Sequence, residues 1–280
     1  MRILITGAGG QLGRDLLTAF PNDGVHGLDH RGLDITERDA VGRAIRQVRP
    51  DWIINAAAFN DVDGAEVARE QAFAVNATGA GNIAAAAQQA GAGLIHISTD
   101  YVFDGTKGSA YIEDDLPNPL SVYGSSKLEG ERRVFDSGAR VCVLRTAWLY
   151  GVQGKNFVKA IIDKARRGGS LEVVADQVGS PTYTADLADG IRRLVQTDVQ
   201  GLFHVVNSGA CSRFEFAKEI VGSSVDVRPI TTAEAHRRAR RPANSSLTSV
   251  RWPMTGLPAL RPWQAALKAF LSAYAAATVG

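Results

Sequence analysis

Arg2-Ile3-Leu4-Ile5-Thr6-Gly7-Ala8-Gly9-Gly10-Gln11-Leu12-Gly13 decides how this chain is to be read. A short apolar run ends in glycines at 7, 10 and 13, and helical spacing follows over Asp15 to Phe20. Lacking side chains, Gly7 and Gly10 let the chain turn tightly and bring its backbone against a pyrophosphate, and Gly13 lets a helix pack closely on a sheet. Free N–H groups at the start of that helix attract anionic phosphates. A glycine pattern alone is a weak signal, but strand before and helix after is the context a dinucleotide site requires. Gln11 and Leu12 fall inside the loop and are candidate cofactor contacts.

Outward from this loop, strand-like and helix-like segments alternate. Val25 to Leu28, Trp52 to Ala57, Leu94 to Ser98 and Arg140 to Arg145 read as strands. Glu37 to Val48, Glu66 to Gln89 (with a break expected near Gly79) and Ser121 to Phe135 read as helices. Short apolar strands alternating with helices predict a parallel sheet covered on both faces. The expected fold is therefore α/β, a Rossmann-type doubly wound parallel sheet over residues 1–150 with a smaller C-terminal α/β substrate domain over 151–280. Segments around 178–200 are expected to return to the first domain.

Bulk properties narrow the function classes. The chain has 280 residues, 45% of them hydrophobic and 21% charged, with a net charge of +2. That balance argues against nucleic acid as a partner. Its two cysteines form no disulfide framework, and Cys142 reads as a core residue. The five histidines lack metal-ligand spacing. No stretch reads as a membrane span or a cleavable signal, so a cytoplasmic location is the expectation.

Two further groups of residues point to redox chemistry. An acid at the end of the second strand would bond the cofactor ribose; Asp29 fits, with Asp34 near. His30 and Arg31 either face a 2′-phosphate or form a solvated loop, which leaves NADH and NADPH both open. Ala56, Ala57 and Ala58 close the third strand with small residues against which a cofactor can lie. Tyr123 and Lys127 stand four apart, one turn on the same helix face. A fixed ammonium near a phenol is expected to lower its pKa from about 10. Such a tyrosine can protonate a carbonyl oxygen as hydride reaches the carbon. Thr99, at the end of the fourth strand, either bonds the substrate carbonyl or caps the strand. His236 to Arg241 offers arginine forks for a diphosphate, or a solvated charge run. Glu113-Asp114-Asp115 reads as a solvated loop.

With these motifs in place, the chain resembles the extended short-chain dehydrogenase/reductase superfamily and, within it, the dTDP-4-dehydrorhamnose reductase family. The resemblance rests on Gly7 to Gly13, Asn55 to Ala58 with Val62-Asp63 and Ala65-Glu66, and Ser98-Thr99-Asp100-Tyr101-Val102-Phe103-Asp104-Gly105. It continues through Tyr123 to Lys127, Arg145-Thr146-Ala147-Trp148-Leu149-Tyr150-Gly151, Asn156-Phe157-Val158 and Arg241-Pro242. It implies reduction by NADPH or NADH of the C4 keto group of a dTDP-linked 4-keto-6-deoxy sugar, giving dTDP-L-rhamnose. It makes Thr99, Tyr123 and Lys127 the catalytic trio, with Tyr123 and Lys127 also cofactor contacts. It places Asp100, Tyr101 and Trp148 near the sugar, Trp148 as an apolar wall or as core packing. Further candidates are Ile35 and Asn76 for the cofactor, and Asn156 and Arg241 for the substrate. Some relatives form metal-bridged dimers through acidic residues. No such trio is placed here, so no metal is expected, and the chain is expected to be a monomer or homodimer.

Three rival functions share parts of this pattern. Dehydratases of the superfamily carry Asp then Glu after the threonine, whereas Asp100 is followed by Tyr101. An epimerase needs only reversible hydride transfer. A non-catalytic subunit, as in the regulatory β subunit of methionine adenosyltransferase, has no need of an intact Thr99, Tyr123 and Lys127.

Overall fold

Alternate side chains of a doubly covered strand must be apolar on both faces, and this requirement organises the computed structural model, which describes residues 1–279. The chain runs β1 (Arg2–Thr6), α1 (Gln11–Ala19), β2 (Gly24–Leu28), α2 (Arg38–Val48), β3 (Trp52–Asn55), α3 (Val62–Ala65), α4 (Arg69–Phe73), α5 (Ala80–Ala90), β4 (Gly93–Thr99), α6 (Val122–Phe135) and β5 (Val141–Thr146). It continues β6 (Leu149–Tyr150), α7 (Phe157–Arg166), β7 (Leu171–Val174), β8 (Val178–Gly179), β9 (Thr182–Tyr183), α8 (Thr184–Leu194), β10 (Gly201–His204), β11 (Cys211–Ser212), α9 (Arg213–Val221), β12 (Val227–Ile230) and α10 (Trp263–Val279).

Six strands form one parallel sheet in the order β10-β5-β4-β3-β1-β2. Ile3, Ile5, Ile54, Ile95, Cys142 and Leu144 face one way, onto Leu12 and Leu16 of α1 and Leu187 and Ile191 of α8. Leu4, Ile53, Leu94, Val141 and Val143 face the other way, onto Val41 and Ile45 of α2, Ile83 and Ala87 of α5 and Val134 of α6. The sequence passes from β1 outward to β2, then returns to the far side of β1 with β3. Ligands in such sheets bind at this reversal, beyond the carboxyl ends of the strands.

The region from 69 to 90 is helical throughout. The break expected near Gly79 is instead a π-helical segment, Ala74–Gly79, between α4 and α5. Gly79 closes this segment, and a Cβ there would lie 2.6 Å from the Ile35 side chain. A third core gathers Tyr150, Val158, Ile161, Val173, Phe216, Trp263 and Phe270 from α7, β7, α9, α10 and the turn strands. The parallel pair β7–β12 and the two-residue pairs β6–β9 and β8–β11 belong to this part. The chain rejoins the large sheet over Thr184 to His204, through α8 against α1 and β10 beside β5. Among the described residues, no helix is long and apolar enough to cross a membrane.

Candidate active site

The glycine loop closes against the end of β3. Gly7 has φ +71°, and a Cβ on it would lie 2.6 Å from the Ala56 carbonyl. At Gly13 a Cβ would lie 2.2 Å from the Gly7 oxygen, so α1 can pack this tightly only on a glycine. Gly10 caps α1 with no side-chain bond, which leaves the first-turn N–H groups open to an anion. Below, Thr6 Oγ1 donates to Asn55 Oδ1 at 2.8 Å and Asn55 Nδ2 meets His96 Nδ1 at 3.1 Å, tying the ends of β1 and β3 to the middle of β4. Gly13→Ala is expected to force α1 outward, cost about 1–3 kcal/mol and weaken dinucleotide binding, as melting curves and cofactor titration would show.

Two cavities open from this loop and share Gly10, Ala56, Ala58 and Asn60. The larger, about 750 Å³, lies over the ends of β1 and β2, where Gly7, Asp29, His30, Asp34, Ile35 and Ala57 line it. Asp29 Oδ1 accepts from the Arg31 and Gly32 N–H groups, which holds its pKa below the ordinary carboxylate value. His30 and Arg31 are exposed at the rim, and Arg14 joins them from α1. Asp34 Oδ1 accepts from Thr36 N–H and hydroxyl.

The smaller cavity, about 300 Å³, lies over the ends of β4 and β5 and brings together Gln11, Leu12, Gly13, Thr99, Asp100, Tyr123, Lys127 and Trp148. Ser121 caps α6, its Oγ accepting from Gly124 N–H, and so fixes the helix start just ahead of Tyr123. Lys127 is buried, and its Nζ donates to the Ile97 carbonyl at 2.6 Å. Burial lowers its pKa to about 8 against the opposing charge of Glu131. Tyr123 differs from expectation. Burial raises its pKa above the ordinary phenol value, the Thr99 hydroxyl pulls the other way, and Asp100 and Tyr101 add to the rise. With its ammonium turned to Ile97, Lys127 does not depress the phenol, which stays neutral and able to donate a proton.

Thr99 both lines the cavity and caps the chain: its hydroxyl accepts from Tyr101 N–H at 3.2 Å and donates to Asp100 Oδ1 at 3.1 Å. Asp100 is buried and pushed up to about 6 by desolvation, while Ser245 (2.5 Å), Thr99 and the Arg213 charge oppose the rise. Tyr101 lies behind the cavity, its ring edge-on to Tyr123 at 5.9 Å. Trp148 has φ +46°, a conformation that costs energy in a non-glycine residue and recurs at functional sites. Its indole occupies the space where a Cβ on Gly179 would sit, and the Arg213 guanidinium stacks 3.5 Å from its ring centroid. Arg213 escaped the sequence reading, because Ser212-Arg213-Phe214-Glu215 looks only like the capping box that it is. A third cavity of about 460 Å³ lies beyond, lined by Phe157, Lys164, Gln177, Arg213, Arg237 and Arg241.

Several expected contacts fall elsewhere. Asn76 does not line either dinucleotide cavity. It is 1% exposed, and its amide is committed to Phe59 N–H and C=O and to the Ser126 hydroxyl. Asn156 caps α7 and donates to Gln11 Oε1 (2.9 Å) and the Gly151 carbonyl, joining the glycine loop to the third core rather than lining the small cavity. Arg241 does line the third cavity, where a fork to Asp63 at 3.1 and 2.9 Å holds it and drops the Asp63 pKa to about 2. Glu113 is no solvated residue: it is 4% exposed and accepts from His204 N–H, Val250 N–H and the Ser249 hydroxyl.

A glycine loop at the sheet reversal, with Thr99, Tyr123 and Lys127 grouped beside it, defines an extended short-chain dehydrogenase/reductase. Within that class the chain belongs to the family described as RmlD substrate binding domain, whose model matches residues 1–276. It is 43% identical over 289 residues to dTDP-4-dehydrorhamnose reductase of Mycobacterium tuberculosis strain H37Rv, covering 99% of this chain and 94% of that protein. It is 42% identical to a probable dTDP-4,6-dihydroxy-2-methyloxan-3-one 4-ketoreductase of Streptomyces antibioticus, covering 96% and 94%. The crystal structure of Bacillus anthracis dTDP-4-dehydrorhamnose reductase in complex with NADP superposes with a TM-score of 0.94 at 41% identity, covering 96% of this chain and 98% of that one.

Proposed function

We propose that this protein is an NAD(P)H-dependent nucleotide-sugar 4-ketoreductase. It would convert dTDP-4-dehydro-6-deoxy-L-mannose to dTDP-L-rhamnose, acting in the cytoplasm. The observation that carries the reading is the single small cavity shared by the glycine loop, Thr99, Tyr123, Lys127 and Trp148.

The residues fit a dinucleotide. The open N–H groups of α1 suit its pyrophosphate, and the 750 Å³ cavity suits its adenosine half, with Asp29 toward the ribose. When bound, the reduced nicotinamide supplies the hydride. Lys127 would hold the nicotinamide ribose. Tyr123 donates its phenolic proton to O4 of the sugar as the C4–H bond forms, and the resulting tyrosinate regains a proton from solvent. Thr99 would turn its hydroxyl proton from Asp100 to the carbonyl oxygen and orient it toward Tyr123, and Trp148, braced by Arg213, walls the sugar. Phe157, Lys164 and the exposed Arg237, whose contact with Asp63 is a long one at 3.8 Å, would receive the nucleoside diphosphate. Asp100 followed by Tyr101 gives no second acid for elimination, which favours reduction over dehydration. The identity to the Streptomyces ketoreductase supports a second reading, the same C4 chemistry on a sister sugar.

The test is loss of reduced-nicotinamide absorbance when the protein meets NADPH or NADH and the 4-keto sugar nucleotide. A rhamnose nucleotide as product supports the reading. No turnover by protein that binds NADPH defeats this substrate. The alkaline side of the rate profile is also predicted: Lys127 loses its proton as pH rises through about 8. kcat/KM is expected to fall by about tenfold per pH unit above that point. His96, buried beside Lys127 and kept neutral by desolvation, contributes no charge there.

A further inference from the structure

Thr146 ends β5 inside the small cavity, and none of the roles above uses its hydroxyl. In the β4–β5 register it stands directly opposite Thr99, so two hydroxyls close adjacent strands on one cavity floor. The Thr99 hydroxyl is engaged on both sides, by Asp100 and by Tyr101 N–H. The Thr146 hydroxyl is buried, in a residue 4% exposed, and has no hydrogen-bond partner. Buried polar groups are nearly always paired, and one left open in a functional cavity calls for an explanation. The other unpartnered buried side-chain atoms among the described residues belong to Asp15, His96, Arg145, Tyr150 and His204, none of which lines this cavity.

The strand order says what should meet it. The adenosine side of the cleft lies over β1 and β2, the pyrophosphate loop follows β1, and the far end of the cleft lies over β4 and β5. A dinucleotide laid along these strand ends brings its nicotinamide to Thr99 and Thr146. Ile97 and Ala147 beside them offer an apolar bed for the ring. A primary carboxamide can give and accept hydrogen bonds, as can a threonine hydroxyl. We infer that the Thr146 hydroxyl hydrogen-bonds the carboxamide of the bound nicotinamide and so fixes the rotation of the ring against the sugar. The inference rests on the dinucleotide reading above.

The experiment is a fluorescence titration, without sugar, of wild type, Thr146→Val and Thr146→Ser with NADPH and with 2′,5′-ADP, which lacks the nicotinamide half. Thr146→Val is expected to bind NADPH about three- to tenfold more weakly and 2′,5′-ADP as tightly as wild type. Thr146→Ser should keep wild-type affinity for both. Since the hydroxyl has no partner in the unliganded protein, Thr146→Val should also melt no lower than wild type. Unchanged NADPH affinity in Thr146→Val, with or without a raised KM for the sugar, overturns the inference. So does an equal loss for both ligands, or a lower melting temperature, since either shows that the hydroxyl serves the protein itself. Failure of wild type to bind either NADPH or NADH would instead defeat the dinucleotide reading.

Discussion

Tyr123→Phe is expected to lose about 10²- to 10⁴-fold in kcat while binding NADPH as wild type does. Removing one oxygen leaves the ring, its edge contact with Tyr101 and the start of α6 in place. Only the proton donor is lost. Because burial keeps the phenol protonated well past neutrality, the wild-type enzyme carries its proton throughout the working pH range. The variant must draw a proton from water instead, and Asp100 cannot replace it, being bonded to Ser245 and Thr99. Single-turnover absorbance with the keto sugar measures the chemical step, and NADPH fluorescence measures binding. A variant that kept the full rate would remove Tyr123 as the acid and move attention to Thr99.

Most of the large sheet could be read from the chain because β1, β3, β4 and β5 are buried on both faces. Ile3-Leu4-Ile5 and Val141-Cys142-Val143-Leu144 are apolar at every position, and the structure sends alternate residues into opposite cores. The smaller part was harder to read. β6, β8, β9 and β11 are two residues long, too short for any period to show, and β12 runs Val227-Arg228-Pro229-Ile230, broken by an arginine and a proline. The site divides in the same way. Thr99 lies in one local motif and Tyr123 and Lys127 share another, and the relatives point to the activity that those motifs suggested. Asn76 and Asn156 have side chains suited to a ligand, but long-range geometry gives both amides to the protein itself. Arg213 reaches the site only through folding of the third core, where it meets Trp148 from 65 positions downstream in sequence. Glu113 looked like one of three solvated acids because nothing local announces that the chain around Val250 and β10 will close over it.

Arg145→Met should destabilise the protein by about 3–5 kcal/mol, the largest stability effect expected of any single change near the site. Arg145 gives Glu131 a two-pronged bond at 2.9 and 2.7 Å, with both side chains at most 4% exposed. Ser98 Oγ adds a third bond to the same carboxylate at 2.5 Å. Removing the guanidinium leaves a buried carboxylate with one hydroxyl, and the cost of desolvating it is no longer offset. The double variant Glu131→Leu/Arg145→Met should recover much of the loss, since the pair is then replaced by apolar side chains. Urea melts of the three proteins decide the matter: a cost below about 1 kcal/mol for Arg145→Met would show that the pair behaves as a surface bridge. The same carboxylate reaches the chemistry. Glu131 lies one helical turn beyond Lys127, and its charge is what holds the Lys127 pKa up against burial. Glu131→Gln should therefore lower that pKa below about 8 and move the alkaline fall of kcat/KM to lower pH. A profile that stays in place while stability drops would confine Glu131 to the fold.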